Sequence, residues 1–364
     1  MVEKRDLISR AAHVDKIGLW KKFPDYYREL ENTHLWPLWE EINKFTDSAL
    51  PILKAVPCLW HYEDTRRLVM QSADMLTAAE TERRVLALKN PGLKDRMAVT
   101  QSMYAGYQLL MPGEVAPSHR HSPAAFRFIL EGEGAYTAVN GEKTFMKPGD
   151  FVVTPSWAWH DHGNETTTPM IWLDGLDWPL INNLGVWFFE SYPEFQHPET
   201  RPPRDSVVRH GTGDTPVTSE CSPASPVLNY SFEPMREALE TMRRSEDLDP
   251  CLGLKTRYTN PLTGEDAMPT ISAFMQLLPK NFSSAPYRQT DACVYSVVEG
   301  HGRTSVGEVN LDWGPKDAFV IPTWAEYQHF IGDEDAVLFS FSDRGVHEKL
   351  GLWREQPAGP DRTG

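Results

Sequence analysis

Two stretches of this 364-residue chain, far apart, resemble each other. The run "ILEGEGAYTAVNGE", from Ile129, matches "VVEGHGRTSVGEVN", from Val297, and aligns Glu131-Gly132 with Glu299-Gly300 at an offset of 168 residues. Further on, "KPGDFVVTPSWAWHDH" matches "GPKDAFVIPTWAEYQH" and aligns Pro155 with Pro322 at an offset of 167, so a one-residue indel lies between. A repeat of this length means that one structural unit is built twice. Around each copy the text breaks into short β-rich runs separated by Pro-Gly, Gly-Glu, Asn-Gly and Pro-Gly-Asp turns. Strands at that spacing predict a sandwich or barrel. The chain is long enough to bury two cores, and the expectation is a mainly β protein built on a duplicated small barrel.

The rest of the chain reads differently. Residues 23 to 45, "FPDYYRELENTHLWPLWEEINKF", place Tyr, Leu and Trp at helical spacings with Pro37 as an interruption, which predicts helices packed on a partner domain or subunit. Residues 196–227 are rich in Pro, Ser, Thr and charge and read as a linker or long surface loop. "EPMREALETMRRSE" after it reads as a helix, and the tail REQPAGPDRTG as disordered. The expected organisation is an N-terminal helical arm over 1–95, a first barrel over 96–180, a linker and helix over 181–255, a second barrel over 256–345 and a tail over 346–364.

The net charge of −15 argues against nucleic acid or an anionic membrane as a partner. An anionic substrate then has to be met by a few local cations. The four cysteines, Cys58, Cys221, Cys251 and Cys293, contain no CxxC pair, which fits neither a disulfide framework nor a zinc ribbon. With no apolar leader and no run of membrane-span length, a soluble cytoplasmic protein is expected.

The chemistry-bearing residues sit in the first copy. In "PSHRHSPAAFRFIL", His119 and His121 occupy positions i and i+2, which share one face of a strand. "GDFVVTPSWAWHDHGN" ends a second strand with His160 and His162 at the same spacing. In a closed barrel all four imidazoles face inward, and three of them suffice to hold a first-row divalent metal with coordination positions left open. Arg127 shares the parity of the metal histidines and reads as inward-pointing, the alternative being a pair with Glu131 or Glu133. His162 reads as a catalytic or a merely buried residue. In the second copy Tyr287, Gln289, Tyr295 and Tyr327 stand where His119, His121, Arg127 and His160 would be, and only His329, matching His162, remains. One metal per chain follows.

The patterns G(x5)HxH, from Gly113 to His121, and G(x5)P(x4)H(x3)N, from Gly149 to Asn164, resemble the two metal motifs of the cupin superfamily. The glutamate that many cupins place after HxH falls on Ala125, and the middle glycine of the second motif is Trp157. Losing that carboxylate leaves three histidines. Together with "ERRVL" (82–86), "SMYAGYQL" (102–109), "FRF" (126–128), "HDHGN" (160–164) and "WLDGLD" (172–177), the chain resembles the gentisate 1,2-dioxygenase family of bicupins, which includes salicylate and 5-nitrosalicylate ring-cleaving enzymes.

That resemblance implies a bicupin with an N-terminal helical segment and a connecting helix. It implies Fe(II) on His119, His121 and His160, with His162 and Arg127 at the substrate carboxylate and the oxygen site, and Arg83, Tyr104, Gln108 and Asp174 lining the same pocket. Without it, Arg83 and Arg84 read as a solvated charge cluster with Glu80 and Glu82. The implied reaction inserts both atoms of O2 between the carboxyl- and hydroxyl-bearing carbons of gentisate, giving maleylpyruvate. Tyr104 matches the gentisate branch, whereas a Trp there marks the salicylate-cleaving variant. A substituted salicylate (5-nitrosalicylate, salicylate itself) or 1-hydroxy-2-naphthoate stays open as substrate, and a homo-oligomer, commonly a tetramer, is implied. Two readings from other classes stand beside it: a zinc-dependent cupin isomerase or small hydrolase, and a non-enzymatic ligand-binding bicupin.

Overall fold

The computed structural model describes residues 19–46, 50–51, 54–213, 215–219, 221–245 and 247–357. The chain divides into two compact units, Met1–Ile52 and Leu53–Gly364. In the first, the expected helices form on either side of Pro37, as Pro24–Asn32 and Leu38–Thr46. Proline tolerates the first turn, where its missing N–H has no partner to lose, and Pro24 opens the first helix. The Thr33 hydroxyl closes that helix on the Glu29 carbonyl at 2.7 Å. Trp39 Nε1 donates to the Tyr27 hydroxyl at 3.0 Å and ties the two helices together.

The second unit contains the duplicated β structure, and every strand pair in it is antiparallel. In the front copy a six-stranded sheet runs Asn229–Tyr230, Phe151–Thr154, Ala125–Glu131, Met170–Leu176, Tyr104–Leu110, Arg84–Ala87. Its companion is a five-stranded sheet of Phe189–Ser191, Val115–His121, His160–Gly163, Tyr136–Val139 and Glu142–Phe145. The rear copy repeats the plan with a six-stranded sheet from Cys58–Trp60 to Leu254–Arg257 and a five-stranded sheet from Val309–Trp313 to Glu355–Pro357. The six-stranded sheets share one core, in which Phe128 stacks on Phe339 at 4.0 Å between ring centroids and Phe126 meets Phe341 at 4.8 Å. This is a bicupin. Among the described residues no helix is long and apolar enough to cross a membrane.

Several outer strands lie where the sequence reading placed arm, linker or tail. Cys58–Trp60 and Arg84–Ala87 belong to the region read as a helical arm, and they flank the helix Tyr62–Met75. Phe189–Ser191 and Asn229–Tyr230 come from the region read as linker, which also forms the helix Asp205–His210 before the expected helix Phe232–Ser245. Glu355–Pro357, in the segment read as disordered, pairs with Tyr287–Gln289. Strands of two to four residues are too short to show a period, and their hydrogen bonds are dictated by the partner strand. Residues 1–18 and 358–364 lie outside the described residues.

The repeat extends to the backbone. Trp157 and Trp324 both occupy the left-handed region, at φ 64° and 58°. Arg120 lies 4.5 Å over the ring of Trp157 and Arg288 lies 5.0 Å over that of Trp324. The position where the motif would carry a glycine therefore demands positive φ, and Trp157 meets that demand while supplying a stacking surface for the arginine between the two metal-side histidines. Gly149 has φ +86°, and a Cβ there would lie 2.6 Å from Cγ of Phe232. Gly149→Ala is expected to lower stability by about 1–3 kcal/mol, read as a lower midpoint in urea at unchanged slope.

Candidate metal centre

The strand Val115–His121 lies beside His160–Gly163, with His119 directly opposite His160. Alternation then brings His121 to the same side. The ring centroids are 4.1 Å apart for His119 and His160, 4.9 Å for His121 and His160, and 5.2 Å for His119 and His121. One nitrogen from each lies within 4.8 Å of the others, and all three rings are buried. Among the described residues this is the one group of three such side chains placed to hold a metal.

Their proton placement follows from their neighbours. His119 Nδ1 is 3.2 Å from the Pro117 carbonyl, His121 Nδ1 is 2.8 Å from that of Pro123, and His160 Nδ1 is 2.9 Å from that of Ala158. A carbonyl only accepts, so Nδ1 of His121 and of His160 carries the hydrogen and each of those Nε2 atoms keeps its lone pair. His160 Nε2 is buried with no partner of its own. Burial, reinforced by nearby Arg83, pushes His119 down to about 2. Burial likewise pushes His121 down to about 4 and His160 well below the usual range. Three neutral imidazoles, two of them fixed with the Nε2 lone pair free and one of those buried without a partner, fit a first-row divalent cation. Each is already oriented by an outer hydrogen bond of the kind metal-ligating histidines use.

The opposite wall comes from the six-stranded sheet. Arg127 is paired across the sheet with Asp174, which on its other side faces Gly106. Arg127 Nε is 3.7 Å from Asp174 Oδ1, Nη1 donates to the Thr154 hydroxyl, and Nε makes no hydrogen bond. Burial lowers Arg127 only to about 10, so it is a cation at neutral pH. Burial raises the Asp174 carboxyl to about 6, against the pull of Arg127 and a 2.9 Å hydrogen bond from Trp172 Nε1. Gln108, 2% exposed, has Nε2 without a partner. Tyr104 shares the parity of Gly106 and Gln108, and burial raises its phenol. His162 is buried and neutral, its ring 5.6 Å from that of Trp172.

Arg83 reaches the metal side of the cavity. Its Nη2 lies 2.8 Å from the Pro117 carbonyl and 2.5 Å from His119 Nδ1. A guanidinium only donates, so Arg83 and the Pro117 carbonyl make opposite demands on His119 Nδ1, with the guanidinium the nearer of the two. The solvated charge cluster considered from the sequence does not form: Arg84 binds Glu114 at 2.5 Å and Glu80 closes a capping box with Thr77. Nor does Arg127 pair with Glu131, which meets Arg66 at 2.8 Å and Lys316 at 3.2 Å.

Two neighbours of the histidines escaped the sequence reading. Phe189 stacks on His119 at 5.2 Å, and Trp187 lies nearly parallel to His121 at 6.4 Å. The run "VWFFES" behind the first barrel was the available signal. It places two partly exposed aromatic rings against His119 and His121.

A cupin domain description matches residues 106–176. Over 342 residues the chain is 48% identical to gentisate 1,2 dioxygenase 1 of Aquipseudomonas alcaligenes, covering 94% of this chain and 98% of that protein. The chain belongs to the gentisate 1,2-dioxygenase family. It is thus an oxidoreductase of the gentisate/salicylate 1,2-dioxygenase type. Within the family it is 36% identical over 334 residues to a 5-aminosalicylate 1,2-dioxygenase from a Comamonas species, covering 91% of this chain and 89% of that one. Among solved structures, salicylate 1,2-dioxygenase from Pseudoaminobacter salicylatoxidans with gentisate superposes with a TM-score of 0.87 at 32% identity, covering 93% of this chain and 94% of that chain.

Proposed function

We propose that this family member is an Fe(II) enzyme that opens the ring of gentisate between its carboxyl- and hydroxyl-bearing carbons to give maleylpyruvate. The observation that carries the reading is the convergence of three neutral histidines, His119, His121 and His160, opposite the buried cation Arg127. Its context is a chain 48% identical to a gentisate dioxygenase. Ferrous iron on the three Nε2 atoms would supply a site where a 2-hydroxybenzoate and O2 can meet, with electron transfer between them.

The protein's own groups account for binding and orientation. Because the ligand set is uncharged, no protein carboxylate competes with the substrate's anionic oxygens. Arg127, held by Thr154 through Nη1 and facing Asp174 through Nε, keeps the rest of its fork for the substrate carboxylate. Gln108 Nε2 adds a neutral donor on the same wall. Asp174 is a positioning residue here, since its contacts are to Trp172 and Arg127. Tyr104, whose hydroxyl lies 2.5 Å from where a Cβ on Gly106 would be, limits how far the ring can lie toward that strand. Phe189 and Trp187 lie against His119 and His121.

The rear barrel lacks this chemistry. Tyr287, Gln289 and Tyr327 replace the three ligands, and burial holds both phenols protonated. One metal per chain is the consequence. The test is anaerobic Fe(II) loading followed by O2 uptake with gentisate, salicylate, 5-nitrosalicylate and 1-hydroxy-2-naphthoate in parallel. Gentisate is expected to give equimolar O2 consumption and maleylpyruvate. Uptake with another acid but not with gentisate would remove the substrate assignment. Silence with all four would return the site to a zinc isomerase or a binding protein.

A further inference from the structure

Thr137 is wholly buried and stands directly opposite His162 across the strands Tyr136–Val139 and His160–Gly163. Its hydroxyl is 2.9 Å from His162 Nδ1. The rear barrel repeats the pair, with Thr304 opposite His329 and its hydroxyl 2.8 Å from Nδ1. The third member differs. In the rear barrel Trp313 Nε1 is 2.8 Å from Thr304 Oγ1. At the matching position, 167 residues earlier, stands Met146, with Sδ 3.2 Å from Thr137 Oγ1.

An indole N–H can only donate and a thioether can only accept, while a threonine hydroxyl has one hydrogen to give. Thr304 accepts from Trp313, and His329 Nδ1 is the acceptor within reach of its own hydrogen, which puts the proton of that imidazole on the buried Nε2. Around Thr137 the direction reverses. If its hydrogen went to His162, oxygen and sulfur lone pairs would face each other at 3.2 Å. With the hydrogen on sulfur, all three atoms are satisfied, and His162 Nδ1–H donates to the hydroxyl. Met146 is 1% exposed and Thr137 0%, so no solvent competes for these bonds.

We infer that the Met146 thioether, acting through the Thr137 hydroxyl, holds His162 with its hydrogen on Nδ1, so that Nε2 offers the substrate's phenolic hydroxyl a lone pair. The inference rests on the function proposed above. It complements the pocket: Arg83, Arg127 and Gln108 Nε2 bring donors, which suit a carboxylate, whereas a phenol O–H needs an acceptor. Asp174 Oδ1 accepts from Trp172 Nε1 and faces Arg127. Among the described residues, His162 Nε2 has no hydrogen-bond partner of its own. Met146 and Thr137 are positioning residues, since neither is argued to touch substrate.

The test uses full-length enzyme labelled with 15N-histidine and loaded with Zn(II) as a diamagnetic filler. Long-range 1H–15N spectra then distinguish the two tautomers, with His162→Gln and His329→Gln variants for assignment. In the wild type His162 is expected to carry its hydrogen on Nδ1 and His329 on Nε2, opposite tautomers in one spectrum. Met146→Leu conserves volume but removes the acceptor, and is expected to bring His162 to the tautomer of His329. Thr137→Ser is expected to keep the wild-type pattern. In the Fe(II) enzyme Met146→Leu is expected to raise KM for gentisate about tenfold at unchanged iron content, with Thr137→Ser near wild type. A wild-type His162 protonated on Nε2, or a Met146→Leu enzyme with unchanged tautomer or unchanged KM, overturns the inference. If the Fe(II) enzyme consumed no gentisate, the proposed function would fall while the spectra still decided the tautomer.

Discussion

His160→Ala is expected to abolish Fe(II) retention and, with it, O2 uptake with gentisate. Of the three clustered histidines His160 is the one closest to both others, at 4.1 and 4.9 Å between ring centroids, and its Nε2 is buried without a partner among the described residues. Loss of an outer hydrogen bond to a metal ligand already costs about 10–100-fold in affinity or activity. Loss of the ligand itself should therefore cost more than about 100-fold. The variant also loses stability of its own: truncating this buried ring opens a cavity and strips the Ala158 carbonyl of its donor. The metal-free variant should therefore melt below the metal-free wild type. A metal that binds only the native state stabilises it in proportion to the logarithm of its concentration over Kd. Added Fe(II) under anaerobic conditions should then raise the wild-type melting temperature and leave the variant where it was. Wild-type O2 uptake in His160→Ala would remove the metal from the three histidines altogether.

How much of this centre could be read beforehand depended on how local the signal was. The pairs His119/His121 and His160/His162 carry their geometry in their spacing, because a strand repeats every two residues. The duplication shows in Gly132/Gly300 and Pro155/Pro322, because turn positions with special backbone angles retain their residues. That Arg127 points inward follows from parity, but its partners do not. Asp174, Thr154 and Thr137 reach their neighbours across strand pairs whose register only the folded sheets define. Phe189 was hidden for a related reason: it sits in a three-residue edge strand paired to the ligand strand, and nothing near it alternates. Arg84 illustrates the reverse error. Four charges in sequence looked like a solvated cluster, yet Glu114, 30 residues away, takes the guanidinium in a half-closed site.

The second large effect is expected far from the metal. Phe339 belongs to the rear barrel, is fully buried, and stacks on Phe128 at 4.0 Å with ring planes 6° apart. Phe126 and Phe151 of the front barrel also meet it, each at 5.6 Å. Phe339→Ala should lower stability by about 3–5 kcal/mol, the usual range for truncating a buried aromatic in a packed core. Because that core is common to both barrels, near-UV dichroism and tryptophan fluorescence should report one coincident transition, shifted as a whole. The function should feel it through one strand. In Ala125–Glu131 the side chains alternate: Phe126 and Phe128 face the shared core and Arg127 faces the histidines. Loosening the first pair moves the cation but not His119, His121 and His160, which stand on the other sheet. KM for gentisate should rise while bound iron per chain stays at the wild-type value. Two separate transitions, with the front barrel unmoved, would show that the rear barrel does not brace the pocket. A single shifted transition with a raised KM would give the metal-free copy its role, as the packing surface against which the substrate's carboxylate clamp is set.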